Sequence, residues 1–285
     1  MDLIDERDFE WKTPLHVCCI SNSIDCAEIL LMFGAQVNSL KRGDWTPLMI
    51  SLAKGSLPMA RLLIQYGADP SIINKDGWNA IHIATRTGNI ELIELLEKQP
   101  NIKPEQWLAQ SKNKRTLLHI ASSNGHLALV KHFLVKSPFA KYFTINCKDS
   151  CGTTPFMDAA RTNCVDICQF YWDHSNKSLD IYEYDNLGRT ALHLAAQTNS
   201  CDAIVWLIQT LNYNIECKDQ WKQTPLFLSV REGHEEATKL LLKFGAKQST
   251  DSKNRCPIDI ANIYGHKVLV DYMCCDNRSC TTDNS

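Results

Sequence analysis

The sequence predicts an all-α solenoid of eight helix–turn–helix units joined by hairpin-like turns, and three observations carry that expectation. The phrase Thr13-Pro14-Leu15-His16 returns at Thr46, Asn79, Thr116, Thr154, Thr190, Thr224 and Cys256 as Thr-Pro-Leu-Met, Asn-Ala-Ile-His, Thr-Leu-Leu-His, Thr-Pro-Phe-Met, Thr-Ala-Leu-His, Thr-Pro-Leu-Phe and Cys-Pro-Ile-Asp. The steps between these starts are 33, 33, 37, 38, 36, 34 and 32 residues. Apolar pairs such as Leu30-Leu31, Leu62-Leu63, Leu95-Leu96 and Leu241-Leu242 recur behind the phrases. One unit of this size has no interior, so its apolar face must be covered by its neighbours. Residues 1–273 are therefore expected to form a single array without an internal boundary, and residues 274–285 a flexible polar tail.

Within a unit, each element has a physical reason. Thr at the helix start can cap free N–H groups, and Pro is tolerated in the first turn because it forfeits no helical bond there. Nine residues after the start comes Gly or Asn, as at Gly55, Gly88, Gly125, Gly233 and Gly265, suited to the left-handed backbone that ends a helix. The apolar pairs then stripe the second helix, and Gly34-Ala35, Gly67-Ala68 and Gly245-Ala246 close it before an extended tip. The extra residues of the third to fifth units fall around Lys98–Ala109, Ser137–Ile145 and His174–Tyr182. They read as contact features or as tolerated surface loops. At the front, either Trp11 and its neighbours shield the first unit or the array begins earlier.

The chain has 285 residues, 44% of them hydrophobic, with 30 basic and 32 acidic side chains and a formal net charge of -2. That composition excludes disorder and any whole-molecule attraction to nucleic acid or anionic lipid. Thirteen cysteines without a Cys-x-x-Cys pair suit a reducing compartment, cytoplasmic or nuclear. The start MDLIDERDFEWK lacks a basic region followed by an apolar segment, and no run approaches 18 apolar residues; a soluble monomer without membrane attachment is expected.

Catalytic and metal readings find little support. His16, His82, His119 and His193 share one repeat position, where an imidazole can bond the backbone of an adjoining turn, and His126, His234 and His266 beside the glycines read the same way. Cys147, Cys151, Cys164, Cys168 and His174 could be imagined around zinc, but structural zinc uses closer pairs. No dinucleotide, phosphate-loop, nucleophile-elbow or His-Glu-x-x-His motif occurs, so no cofactor and no enzymatic activity are expected.

What remains is binding, through the tips. They run Lys41-Arg42-Gly43-Asp44-Trp45, Asn74-Lys75-Asp76-Gly77-Trp78, Lys112-Asn113-Lys114-Arg115, Lys148 to Gly152, Asp185 to Arg189, Lys218-Asp219-Gln220-Trp221-Lys222 and Ser252 to Arg255. Trp11, Lys41, Arg42, Trp45, Lys75, Trp78, Lys114, Arg115, Arg189, Trp221 and Lys222 are the candidate partner contacts, because Arg and Trp dominate interface energetics and charges steer encounter. Each Trp can instead pack over its own turn. Asp44, Asp76, Asp149, Asp185 and Asp219 interrupt the positive field, which argues against direct nucleic-acid binding.

Carried by its phrases and period, the chain resembles the ankyrin repeat family across most of its length, which implies a protein-binding scaffold. At finer grain, Lys41-Arg-Gly-Asp-Trp-Thr-Pro-Leu-Met, Gly67-Ala-Asp-Pro, Asn74-Lys-Asp-Gly-Trp-Asn with His82-Ile-Ala, and Ser111-Lys-Asn-Lys-Arg-Thr with Leu118-His are similar to a vertebrate member of that family. That member binds the catalytic domain of alanyl-tRNA synthetase and takes misactivated serine onto lysine amines. The resemblance implies an auxiliary factor for translational fidelity: a neutral amine attacks the seryl adenylate, expels AMP and keeps serine as an amide. Carried over residue by residue, one acceptor falls on Lys75. A second falls on Arg42, with Lys41 adjacent, and a third on Leu108, with Lys103 and Lys112 nearby. Arginine is too basic to act as this nucleophile and leucine cannot act at all. A general ankyrin adaptor for another protein is the alternative.

Overall fold

The computed structural model describes residues 3–100, 102–175 and 179–279, and among them every extended element is helical, as the sequence predicts. The helices are α1 (Pro14–Ser21), α2 (Ile24–Met32), α3 (Pro47–Ala53), α4 (Leu57–Gln65), α5 (Ala80–Thr87), α6 (Ile90–Glu97), α7 (Pro104–Trp107), α8 (Leu117–Ser123), α9 (Leu127–Lys131), α10 (Pro155–Arg161), α11 (Val165–His174), α12 (Ala191–Gln197), α13 (Cys201–Leu211), α14 (Pro225–Arg231), α15 (Glu235–Lys243), α16 (Pro257–Tyr264) and α17 (Lys267–Ser279). The chain divides into two compact units, Met1–Thr144 and Ile145–Ser285, at the end of the lengthened return that follows the fourth repeat. In the first, α1, α3, α5 and α8 pack in a row, each with its partner second helix. The second repeats the arrangement with α10, α12, α14 and α16.

The helix starts are capped as their sequence requires. The Thr46, Thr154 and Thr224 hydroxyls accept the N–H of Met49, Met157 and Phe227 at 3.2, 3.3 and 3.3 Å. In the units carrying histidine, Nδ1 accepts the N–H of the capping residue: His16 from Thr13 at 3.1 Å, His119 from Thr116 at 3.2 Å and His193 from Thr190 at 3.2 Å. The opposite nitrogen leaves the unit. His16 Nε2 meets Trp45 O at 3.1 Å, His82 Nε2 meets Ala109 O at 3.1 Å and His193 Nε2 meets Gln223 O at 3.0 Å. One ring thus ties a helix start to the segment that precedes the next one, a tip residue for His16 and His193 and the end of the lengthened return for His82, which requires the neutral tautomer with the proton on Nε2. Asp259 performs only the inward half, accepting the Cys256 N–H at 2.8 Å.

The mid-repeat Gly and Asn residues sit where the chain turns left-handed, with φ of 71° at Gly55, 77° at Gly88 and 56°, 60° and 57° at Asn22, Asn163 and Asn199. Gly88 has a second reason to lack a side chain. A Cβ there would lie 2.5 Å from the His126 ring, whose Nε2 bonds Arg86 O at 3.0 Å. His234 and His266 make the same link to Gln197 O and Arg231 O. Glycine in one unit and histidine in the next are therefore a matched pair, and these imidazoles are architectural.

Two segments differ from the sequence expectation. The lengthened return Lys98–Ala109 is not a surface bulge: it folds into α7 and drives Trp107 into the core, 1% exposed, stacked on Phe139 at 5.1 Å between ring centroids. An indole repays in apolar burial what the longer loop costs. The expected tail is helical as far as Ser279, because no Gly or Pro between Lys267 and Ser279 interrupts the helix begun beneath it; the remainder, 280–285, lies outside the described residues.

Burial holds His82 and His193 down to about 4 from an ordinary value of 6.5. The unfolded chain binds those protons near 6.5, so stability is full above that pH and falls as the solution is acidified toward pH 4. Each pK unit is worth about 1.4 kcal/mol. Urea midpoints measured from pH 7.5 to 4.5 should fall steadily through this window. His82→Gln should flatten the response of the transition, since Gln106 already shows that a glutamine oxygen can accept the capping N–H, at 2.9 Å from Lys103.

Candidate functional site

The tips are rigid before any partner arrives. In most of them a side-chain oxygen of the first residue accepts the N–H groups of the third and fifth: Asn74 from Asp76 and Trp78, Asp149 from Cys151 and Thr153, Asp185 from Leu187 and Arg189, Asp219 from Trp221 and Gln223. The fourth residue is left-handed throughout, at Trp11, Asp44, Gly77, Lys114, Gly152, Gly188, Lys222 and Asn254. Neighbouring tips are joined by one backbone bond each: Arg42 N–H to Glu10 O at 3.0 Å, Lys75 to Gly43 at 3.1 Å, Lys112 to Asp76 at 3.0 Å, and in the second unit Gln220 to Leu187 at 3.0 Å and Ser252 to Trp221 at 2.8 Å. A Cβ on Gly77 would sit 2.9 Å from the Lys112 nitrogen, so the ladder itself demands glycine there.

This geometry revises the reading of the acidic residues. Asp149, Asp185 and Asp219 spend their carboxylates on turn N–H groups, and the last two are buried; they shape the tips more than they break a surface field. It also exposes a tip that the repeat phrase missed. Asp8 Oδ1 accepts the N–H of Glu10 and Lys12, forming the first tip ahead of Thr13. The five-residue step from Asp8 to Thr13, the same as from Asp185 to Thr190 and Asp219 to Thr224, is the signal that marks it.

Of the candidate contacts, Trp11, Lys41, Arg42 and Lys75 converge in the first unit, joined by Arg7 and Phe9, which the sequence did not single out. Arg7, Lys41, Arg42 and Lys75 ring a groove of about 710 Å³ that Phe9 and Trp11 also line, with Asp44 as its one lining carboxylate among the described residues. None of these four cations forms a hydrogen bond or ion pair through its side chain among the described residues. Arg7 lies 5.5 Å over the Trp11 ring and Lys41 lies 5.7 Å over Trp45, positions that leave each charge available while the ring holds its stem. Trp11 is 59% exposed and Phe9 87%, so aromatic surface lies open beside the cations.

The other candidates are placed differently. The four tryptophans do not form one stripe: Trp11 is the fourth residue of its tip, Trp45 and Trp78 the fifth, and Trp221 the third, so they point differently. Trp45 lines a separate hollow with Lys54 and Arg86, and Arg86 also lies 5.9 Å over Trp78. Lys103, Lys112 and Lys114 are exposed farther along the first unit, and Leu108 is exposed beside the buried Trp107. Arg115 folds back onto His119 O and Ser123 Oγ. In the second unit, Arg189 is held by Asp185 and Gln197 at 2.8 and 2.7 Å, while Trp221 and Lys222 are exposed.

Cys168 is buried with its thiol pushed well up, Cys164 bonds Thr162, and His174 stacks on Phe170. Among the described residues the cysteines are free thiols, no group of three or more His, Cys, Asp or Glu could hold a metal ion, and no helix is long and apolar enough to cross a membrane.

Family models for ankyrin repeats match residues 2–74, 118–217 and 201–284, and another ankyrin-repeat model matches 52–97. The chain belongs to the ankyrin repeat family. Among curated proteins it is similar to Rabankyrin-5 of Homo sapiens, 31% identical over 148 residues, which is 52% of this chain and 12% of that protein. Inversin of Homo sapiens is 30% identical over 156 residues, 54% of this chain and 14% of that protein. A Caenorhabditis elegans homologue of transient receptor potential cation channel subfamily A member 1 is 26% identical over 161 residues, 56% of this chain and 13% of the channel. The chain thus spans about an eighth of the relatives it matches. These similarities carry the family and its protein-binding character, and nothing in them points to alanyl-tRNA synthetase.

Asp219 offers a test of the tip architecture. Its Oδ2 has no partner among the described residues, and burial holds its carboxyl above the ordinary value. In sister tips that oxygen meets Arg189 or Arg255; here the arginine position is Gln223. Asp219→Asn keeps the Oδ1 acceptor and removes a buried charge, so it should raise stability at pH 7 by about 1 kcal/mol in urea unfolding. The gain should shrink at low pH, where the native carboxyl is itself protonated.

Proposed function

We propose that this chain is a non-catalytic ankyrin adaptor whose first unit binds an acidic segment of a protein partner, in the cytoplasm or nucleus. The observation that carries this reading is the groove of Arg7, Lys41, Arg42 and Lys75 around Phe9 and Trp11. Four cations without a side-chain partner among the described residues, Arg7 just ahead of the first tip, Lys41 and Arg42 in the second and Lys75 in the third, line one groove of a chain whose net charge is -2, so the charge is local and directed. Backbone bonds already hold the tips, so little ordering entropy is lost on binding. An extended peptide with carboxylates for the cations and an aromatic or aliphatic side chain for Phe9 and Trp11 satisfies both surfaces.

A fluorescent peptide alternating glutamate with tyrosine tests it. Binding should weaken steeply with added salt, and Arg42→Glu or Lys75→Glu should each reduce affinity about tenfold, that is by about 1.4 kcal/mol, while Lys222→Glu in the second unit leaves it unchanged. Equal binding by all three variants would remove the groove from the function.

A second reading draws on the likeness to the vertebrate ankyrin repeat domain-containing protein sixteen, and the placement of Lys75 supports it. Lys75 is exposed at a tip, and its N–H bonds the tip that carries Lys41. On this reading Lys75 Nζ accepts serine from the adenylate on alanyl-tRNA synthetase, while Arg42 and Leu108 leave the other two acceptor positions empty. Intact mass after incubation with the synthetase, serine and ATP should show one seryl addition, lost in Lys75→Arg. An unmodified mass leaves the acidic-segment adaptor alone.

A further inference from the structure

The lengthened return of the fifth repeat ends in Asp180-Ile181-Tyr182-Glu183-Tyr184, a stretch in the second unit that the cationic groove does not use. It is fastened from below. Leu179 and Ile181 are buried, the Tyr213 hydroxyl donates to Ile181 O at 2.5 Å, and the Tyr182 ring packs on the Tyr213 ring with centroids 4.7 Å apart. On the other side Asp185 turns its carboxylate inward to shape the next tip. Between these anchors Tyr184 stands out. It is 61% exposed and outside any helix, and its hydroxyl has no hydrogen-bond partner among the described residues. The other exposed tyrosines are placed differently: Tyr264 and Tyr272 lie within α16 and α17, Tyr142 in a single helical turn, Tyr66 at the end of α4, and Tyr182 is stacked.

Lys148 is gathered around this residue. Its Nζ donates to Tyr184 O at 3.0 Å, pairs with Glu183 at 2.5 Å and lies 5.1 Å from the centroid of the Tyr184 ring. Lys148, Tyr184 and Lys218 stand at one register, each immediately ahead of a tip, and the three tips are joined by the backbone bonds Asn186 to Cys151 and Gln220 to Leu187 at 2.9 and 3.0 Å. An exposed lysine therefore flanks the tyrosine on the tip to either side. We infer that Tyr184 is the acceptor of a tyrosine kinase and that Lys148 and Lys218 hold the phosphate once it is attached. Asp180 and Glu183 precede the acceptor and give it the acidic approach that a kinase with a basic substrate cleft selects. In the transfer the Tyr184 oxygen bonds the γ-phosphorus of ATP, the bond to the ADP oxygen breaks, and the phenolic proton passes to the carboxylate base of the kinase. The product carries about two negative charges, a stronger partner for Lys148 than the single charge of Glu183, so the ammonium moves from carboxylate to phosphate. The site does not depend on what the groove of the first unit binds.

Incubation of the full chain with ATP, magnesium and a tyrosine kinase of acidic preference should give one phosphoryl addition by intact mass, mapped to Tyr184 by peptide fragmentation. Tyr184→Phe should abolish it, whereas Tyr264→Phe, at a tyrosine of similar exposure, should not. A broad-specificity tyrosine phosphatase should then remove the phosphate about tenfold faster when Lys148→Ala and Lys218→Ala are combined, and Lys148→Arg with Lys218→Arg should restore the slow rate. No addition, or an addition that persists in Tyr184→Phe, would overturn the acceptor; equal phosphatase rates in the parent and both lysine variants would overturn the lysine clamp.

Discussion

The bridge from one repeat to the next governs this protein. A helix pair of this size encloses nothing, so each unit is stable only against a neighbour, and the contacts that matter are those that set the spacing and register of two units at once. The imidazoles of His16, His82 and His193 do this through opposite nitrogens, one closing a helix start and one holding the segment ahead of the next helix start. His126, His234 and His266 do it over the glycines and asparagines on the other side of the first helices. Because the first set works through neutral rings in buried surroundings, the fold is sensitive to protonation in a way that a purely apolar stack would not be.

The same stacking sets the geometry of the candidate binding surface. Tips laddered by single backbone bonds cannot drift relative to one another, so a side chain on one tip has a defined relation to side chains two tips away. This is how Arg7, Lys41, Arg42 and Lys75, scattered over nearly 70 residues of sequence, become one groove. Tips that use their arginine internally, as Arg189 and Arg255 do with Asp185 and Asp251, gain order and give up a contact. In the first unit Lys41, Arg42 and Lys75 have no such carboxylate partner among the described residues, which is what makes that groove the candidate contact surface.

The repeat architecture was open to reading from the residues alone, because the Thr-Pro start, the left-handed Gly or Asn and the apolar pairs are local requirements that recur in every unit. The structural role of the histidines could be read for the same reason. The candidate site was only partly legible. Lys41, Arg42, Lys75 and Trp11 were picked out as residue types, but Arg7 and Phe9 were not, since the tip at Asp8–Lys12 precedes the first helix-start phrase. Trp107 shows the reverse case: its loop looked like a surface insertion, and only the ring stack with Phe139 and the neighbouring Phe133 makes it core.

Sequence by itself determined the period, the helix starts and stops, and which positions must be buried, because hydrogen-bond capping and backbone handedness act over a few residues. Which charges stay free among the described residues and which carboxylates turn inward were decided by the tertiary structure. Those outcomes depend on what a neighbouring unit places opposite each side chain, and that is set by stacking between segments more than 30 residues apart.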